Sequence, residues 1–228
     1  MRLTSKRFKT AKNLVQDKVY VIEEGIELLK KTATAKFIES TEVHFCLNLN
    51  PKYADQQLRA TVILPHGTGK NIRVVAIASS ESGLNSEDIG AERIGSEDLI
   101  EQINQGFTDF DVLIAEPDMM PKIAKLGRIL GPKGLMPSPK AGTVTKDIKS
   151  AVQEFKRGKL EYRVDKTGIV HLNFGKVNFT QDQLQENLLT VYKSILQNKP
   201  SGVKGKYLKR MYICNSMGPS IELDYSIL

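Results

Sequence analysis

Lys70 in HGTGK (66–70) and Lys133 in GPKG (131–134) stand among glycines, the combination with which a polypeptide can cradle phosphate. The chemistry would be nucleotide binding, and spacing decides it. A phosphate-binding loop takes GxxxxGK followed by Ser or Thr, so that backbone N–H groups wrap the phosphates and the hydroxyl meets magnesium. Around Lys70, position 64 is Leu and position 71 is Asn, while Pro132 directly precedes Lys133. Neither lysine fits. A dinucleotide fingerprint would follow the first buried strand, which runs instead into SSESGLNSED (79–88). Acyl transfer lacks both a GxSxG elbow and a histidine placed as its base. The neighbouring carboxylates Glu23–Glu24, Glu87–Asp88 and Glu97–Asp98 read as charge on solvated helix faces. Together these patterns predict a chain that is not an enzyme.

Metal chemistry finds no support in the spacing either. Cys46 and Cys214 form no CxxC pair, and His44, His66 and His171 are far apart along the chain, so each reads as a surface or packing residue. No metal and no cofactor is expected, and two unpaired thiols fit a reducing compartment.

Charge favours a polyanionic partner. The net charge is +7, with the excess in the two ends: 11 basic against 7 acidic residues in 1–66, and 10 against 6 in 159–228. Residues 67–158 carry 12 against 13, divided into an acidic part (67–118, 3 against 11) and a basic part (119–158, 9 against 2). To the basic part belongs GRILGPKGLMPSPKAGTVT (127–145), with four Gly, three Pro, Arg128, Lys133, Lys140 and no acid. Its composition predicts a stiff loop that is neither helix nor strand, able to cradle phosphate, touch nucleic acid or brace two elements. RNA binding on a sheet combines cations for phosphate with aromatic or polar side chains for bases and 2′-hydroxyls. Candidates at strand edges are Lys36 and Phe37, Lys166 and Thr167, and Ser216 and Met217. Pattern alone leaves two alternatives open: Phe37 as a core residue, and Met217 folded back onto the core.

The elements that must position these residues come in two styles. Val43, Phe45, Leu47 and Leu49 alternate with Glu42, His44, Cys46 and Asn48, and Leu58, Ala60, Val62 and Leu64 repeat the pattern of half-buried antiparallel strands. Leu160, Tyr162 and Val164 lead into DKTG (165–168), and Val170, Leu172 and Phe174 lead away, which predicts a hairpin with Gly168 at positive φ. Val19, Ile22, Ile26 and Leu29 mark one amphipathic helix. Leu184, Leu188, Val191 and Ile195 mark another, opened by a Thr180–Gln183 capping box. In the middle, IRVVAIA (72–78) and FDVLIA (110–115) are nearly unbroken apolar runs, as in parallel strands covered on both faces. SEDIGAERIGSEDLIEQI (86–103) reads as one connecting helix interrupted near Gly90 or Gly95, and Asp147 to Arg157 as another helix. The change of strand style and charge predicts an outer α+β domain, an antiparallel sheet with helices, from 1–66 and 159–228. Into it is inserted a three-layer α/β domain, 67–158, with hinge glycines near HGTGK and KRGK (156–159). No apolar run approaches the roughly 20 residues of a membrane span.

Through GRILGPKGLMPSPKAGTVT, ATAKFIESTEVHFCLNLNPKYADQQLRATVILPHGTGK (33–70), DKTGIVH (165–171) and SMGPS (216–220), the chain resembles the large-subunit ribosomal protein L-one family over nearly its whole length. The resemblance implies a non-enzymatic structural protein whose outer domain binds large-subunit ribosomal RNA at the mobile stalk. It also implies help in releasing deacylated tRNA from the exit site, and translational repression through messenger RNA as a further role. Carried onto matching positions, the RNA-binding residues are Lys36, Phe37 and Glu39; Lys166, Thr167 and Gly168; and Ser216, Met217, Gly218 and Pro219. Glu39 would accept from a 2′-hydroxyl or base amino group, or hold a neighbouring lysine. Ser216 stands where many relatives have Thr, keeping the hydroxyl without the methyl. The 127–145 loop falls in the inserted domain, away from that face, and its Arg128, Lys133 and Lys140 are candidates for a tRNA contact. KYADQQLRATVILPHGTGK (52–70) is similar to cyanobacterial and plastid versions. That implies a plastid ribosome and, with little room for a transit peptide, synthesis within the organelle; a bacterial cytoplasm is the alternative.

Overall fold

The computed structural model describes residues 5–79, 89–203 and 205–225, and the chain divides into two compact units, Met1–Gly69 with Glu161–Leu228, and Lys70–Leu160. The unit made from both ends is organised on β1 (Ser40–Leu47), which lies between β7 (Ile169–Lys176) and β8 (Leu208–Asn215), with β9 (Ile221–Leu223) beyond β8. All these pairings are antiparallel. Alternation along β1 buries Thr41, Val43, Phe45 and Leu47 and turns Ser40, Glu42, His44 and Cys46 to the other face. The buried face packs under α2 (Ile22–Thr32) and α7 (Gln181–Gln197), whose Ile22, Ile26 and Leu29, and Leu184, Leu188, Val191 and Ile195, supply the facing stripes. The capping box at Thr180 is present, with Gln183 N–H donating to Thr180 Oγ1 at 3.2 Å and Thr180 N–H to Gln183 Oε1 at 3.0 Å. Val19 is not part of α2: it is exposed, because Tyr20 N–H donates to Glu222 O (2.9 Å) and holds this stretch extended beside β9.

The expected hairpin across DKTG parts at its base. Only Val164 and Val170 bridge; β6 (Lys159–Arg163) pairs instead with β2 (Arg59–Ile63) in a separate two-stranded sheet. Tyr162 draws β6 away, since its buried ring brings the hydroxyl to Ser194 (2.9 Å) and Asn198 (3.3 Å) at the end of α7.

In the second unit β3 (Val74–Ile77) lies between β4 (Arg93–Gly95) and β5 (Val112–Ala115), all parallel. Every residue of β3 is buried, Val75 and Ile77 against one apolar cluster and Val74 and Ala76 against another. The first cluster takes Leu99 and Ile103 from α3 (Glu97–Asn104), Ile123 from α4 (Met120–Ile123) and Leu130 from α5 (Gly127–Lys133). The second takes Ile148, Ala151, Val152 and Phe155 from α6 (Ile148–Lys156), whose Asp147 cap accepts from Ser150 N–H at 3.1 Å. Two expectations change here. The segment read as one interrupted helix contains strand β4, because Gly90 at φ +75° stops the chain before it; Glu87 and Asp88 lie outside the described residues. The stretch read as a loop begins as helix α5, since Leu126 and Leu130, one turn apart, both have buried places to fill. The loop proper follows Gly134 (φ +71°) and contains a single 3-10 turn, Pro139–Ala141, closed by Gly142 (φ +69°).

Candidate nucleic-acid interface

Because β1 and β8 run antiparallel, the residues entering β1 and those leaving β8 meet at one end of the sheet, Thr41 opposite Asn215. Lys36, Phe37 and Ile38 precede β1 there, and the SMGPS turn follows β8. Phe37 is 54% exposed, Ile38 59% and Met217 52%, so neither Phe37 nor Met217 fills the core. Apolar groups left at a sheet end by so well-packed a unit suit a partner with stacking faces. Beneath them Glu39 is only 2% exposed, its Oε1 accepting from Ala35 N–H (3.0 Å) and its Oε2 from Met217 N–H (2.9 Å). The carboxylate ties the loop carrying Phe37 to the turn carrying Met217, so that both its oxygens meet backbone N–H groups where RNA or a neighbouring lysine was the expected partner. Ser216 is likewise engaged, its Oγ accepting from Ser40 N–H at 3.3 Å while its own N–H donates to Ser40 O at 3.1 Å. Gly218 N–H donates to Asn215 O (3.0 Å), a Cβ there would come 3.2 Å from Asn215 Cβ, and Pro219 is buried.

DKTG lies at the opposite end. Cys46 of β1 faces Ile169, and Leu47 N–H donates to Gly168 O at 3.0 Å. With about 3.4 Å per residue, β1 separates this turn from SMGPS by roughly 24 Å, so the candidate residues form two clusters, not one. Gly168 has φ +86°, and a Cβ there would sit 3.2 Å from Leu49 O and 3.4 Å from Leu47 O. Asp165 organises the turn: Oδ1 accepts from Ile169 N–H (2.8 Å) and Thr167 N–H (2.9 Å), and the Thr167 hydroxyl donates to the same carboxylate. Burial works to raise the Asp165 pKa, but these donors outweigh it and bring it down to about 2. Lys166 and Thr167 are exposed, and Gly168 is buried.

The open face between the two ends corrects the reading of the histidines and cysteines as scattered. Strand pairing places His44 opposite His171, with their Nδ1 atoms 2.8 Å apart, and brings His44 Nε2 to 3.2 Å from Cys214 Sγ. Glu42 lies opposite Cys214. Burial and the neighbouring His171 lower the His44 pKa, while burial and then Glu42 push the Cys214 thiol up to about 11. The sequence reading also passed over α1 (Lys6–Leu14), a mostly exposed helix bearing Lys6, Arg7, Lys9 and Lys12. Its Phe8 and Lys12 line a groove that reaches Pro219 of the SMGPS end, where Lys18 and Arg210 stand beside Asp17 and Glu222. KRFKTAK (6–12) carries this charge in the sequence, but only the helix gives it a place.

In the second unit Arg128, Lys133 and Lys140 are all exposed. Arg128 and Lys133 are five residues apart on α5, hence about 140° apart around its axis, so they do not share a face. Lys133 Nζ donates to Thr108 Oγ1, and Lys70 Nζ pairs with Asp111 at 2.7 Å.

Residues 29–219 match the Ribosomal protein L1p/L10e family, a span that contains every residue of both clusters. The chain is 57% identical over 228 residues to "Large ribosomal subunit protein uL1c" of Trieres chinensis, covering 100% of this chain and 99% of that one. It is 58% identical over 226 residues to uL1c of Guillardia theta (99% and 97% covered). With uL1 of Prochlorococcus marinus strain MIT 9515 the identity is 54% over 228 residues (100% and 97% covered).

Proposed function

Since the chain belongs to the Ribosomal protein L1p/L10e family, large-subunit ribosomal proteins that are structural and not enzymes, we propose that the unit built from both termini grips large-subunit ribosomal RNA at the two ends of its sheet. The observation that carries this reading is the exposure of Phe37, Ile38 and Met217 above a buried carboxylate that ties the backbone of Ala35, in the loop before β1, to that of Met217. Phe37 stacks on a base, Met217 packs beside a sugar or base, and Lys36 and Lys166 meet phosphates. Thr167 and the backbone at Gly168 and Gly218 shape the approach. Glu39, Ser216 and Pro219 support the surface from within. Residues 70–160 form the inserted domain, which assists release of deacylated tRNA, with Arg128, Lys133 and Lys140 as its contacts. The same RNA face serves repression when a messenger RNA copies the ribosomal site. Plastid uL1c and cyanobacterial uL1 relatives fit a plastid ribosome, with a bacterial one as the alternative.

Gel-shift titration with a stalk fragment of large-subunit RNA tests the proposal. Phe37→Ala should weaken binding by about 1–3 kcal/mol, the range for a lost base–aromatic stack. Lys166→Ala should flatten the salt dependence by about one phosphate contact. A folded Phe37→Ala, Met217→Ala protein that binds the fragment as tightly as the parent would overturn the assignment.

A further inference from the structure

Two adjacent strands, β1 and β8, deliver unlike metal-binding side chains to one place on the open face of the sheet. Glu42 and His44 are two apart on β1 and therefore share a face, and Cys214 enters from β8 directly opposite Glu42. One ligand atom from each of the three lies within 4.8 Å of the other two, and all three residues are part-buried. A tetrahedral zinc ion with Zn–S of about 2.3 Å and Zn–N or Zn–O of about 2.0–2.2 Å needs ligand atoms roughly 3.3–3.7 Å apart. The 3.2 Å between His44 Nε2 and Cys214 Sγ is already near that spacing.

A second set of contacts orients the imidazole. His171 Nε2 is 3.5 Å from Asp165 Oδ2, and His171 Nδ1 is 2.8 Å from His44 Nδ1. A proton held on His171 Nε2 by the carboxylate leaves His171 Nδ1 as an acceptor. His44 must then carry its proton on Nδ1, and its Nε2 lone pair faces Cys214. A ligating histidine is commonly fixed in this way, through its other nitrogen, by a partner that a carboxylate orients in turn. We infer that Glu42, His44 and Cys214 form a three-ligand zinc site, with His171 and Asp165 as positioning residues and the fourth position open to solvent. Thiolate, imidazole and carboxylate together suit zinc better than magnesium or calcium, which take oxygen alone. Binding releases the Cys214 thiol proton to solvent and forms the Zn–S bond without any change of oxidation state. Asp165 belongs to the DKTG turn, so the ion would brace one end of the proposed RNA face through the sheet.

The test is titration of the full chain, its thiols reduced and the reductant removed, with Co2+ as a spectroscopic stand-in and Zn2+ as competitor. A thiolate-to-cobalt charge-transfer band with tetrahedral d–d intensity should appear, and Zn2+ should abolish it. Cys214→Ser should remove the band, Glu42→Gln should weaken binding, and His171→Ala should weaken it by about 10- to 100-fold, as loss of an outer-shell partner does. Cys46→Ser, on the same face, should keep the band. Absence of the band in folded protein, or a band that survives Cys214→Ser, overturns the inference. No RNA enters the measurement, so its failure would leave the RNA reading standing.

Discussion

Glu39→Gln isolates the clamp beneath the exposed apolar groups. The wild-type carboxylate accepts from Ala35 N–H at 3.0 Å through one oxygen and from Met217 N–H at 2.9 Å through the other, in a side chain only 2% exposed. Glutamine retains one acceptor and turns an NH2 group toward the other backbone N–H. Hydrogen bonds to a charged partner contribute about 1.5–3 kcal/mol and a stranded buried donor costs about 1–3, so the unit should lose roughly 2–3 kcal/mol in urea unfolding. The Phe37 loop and the Met217 turn would also lose their common anchor, and affinity for the RNA fragment should fall with stability. A thermodynamic cycle separates placement from contact. If Glu39 acts by placing Phe37 and Met217, then in a Phe37→Ala, Met217→Ala background Glu39→Gln should cost no more than about 0.5 kcal/mol of further affinity. An undiminished loss in that background would mean that the carboxylate meets RNA itself, and unchanged stability of the single variant would refute the clamp.

Asn187 is fully buried within α7, accepting from His66 N–H (3.1 Å) and donating to Gly67 O (3.0 Å) and Phe174 O (2.9 Å); Asn187→Leu should cost about 3 kcal/mol or more in urea unfolding. The Asp165 pKa is lower in the fold (about 2) than its ordinary 3.8, so its stabilisation is present above 3.8 and is lost as pH falls through about 2. With the side chain 37% exposed, solvent screening limits that contribution to the order of 1 kcal/mol, and the stability gap between wild type and Asp165→Asn should close across that interval. Changing Arg128, Lys133 and Lys140 together to Glu should reduce ribosomal tRNA crosslinking to the protein; unchanged yield would remove these three cations from the tRNA contact.

Much of the fold was legible because apolar period reports directly on burial. The alternation in Val43, Phe45 and Leu47, the spacing of Leu184, Leu188, Val191 and Ile195, and the capping box at Thr180 all reappear in the structure. The misreadings came where local signals were short or ambiguous. Three residues of β4 are too few to show a period, and glycine and proline around α5 hid a helix anchored by Leu126 and Leu130. At the candidate site, residue type and motif indicated Lys36, Phe37, Lys166 and Met217, and all four are exposed, while Glu39 and Pro219 are turned inward. No rule of spacing distinguishes those orientations, because they depend on which strand end each loop leaves.

By itself, the sequence determined which faces are apolar, where the positive charge concentrates and which motifs link the chain to its family, since these are properties of residues and their near neighbours. Only the tertiary structure decided that two of the candidate RNA-binding loops meet at one end of β1 and the third lies at the other, and that His44, His171, Cys214 and Glu42 converge. Those relations are set by strand register, which pairs residues more than a hundred positions apart and leaves no periodic trace along the chain.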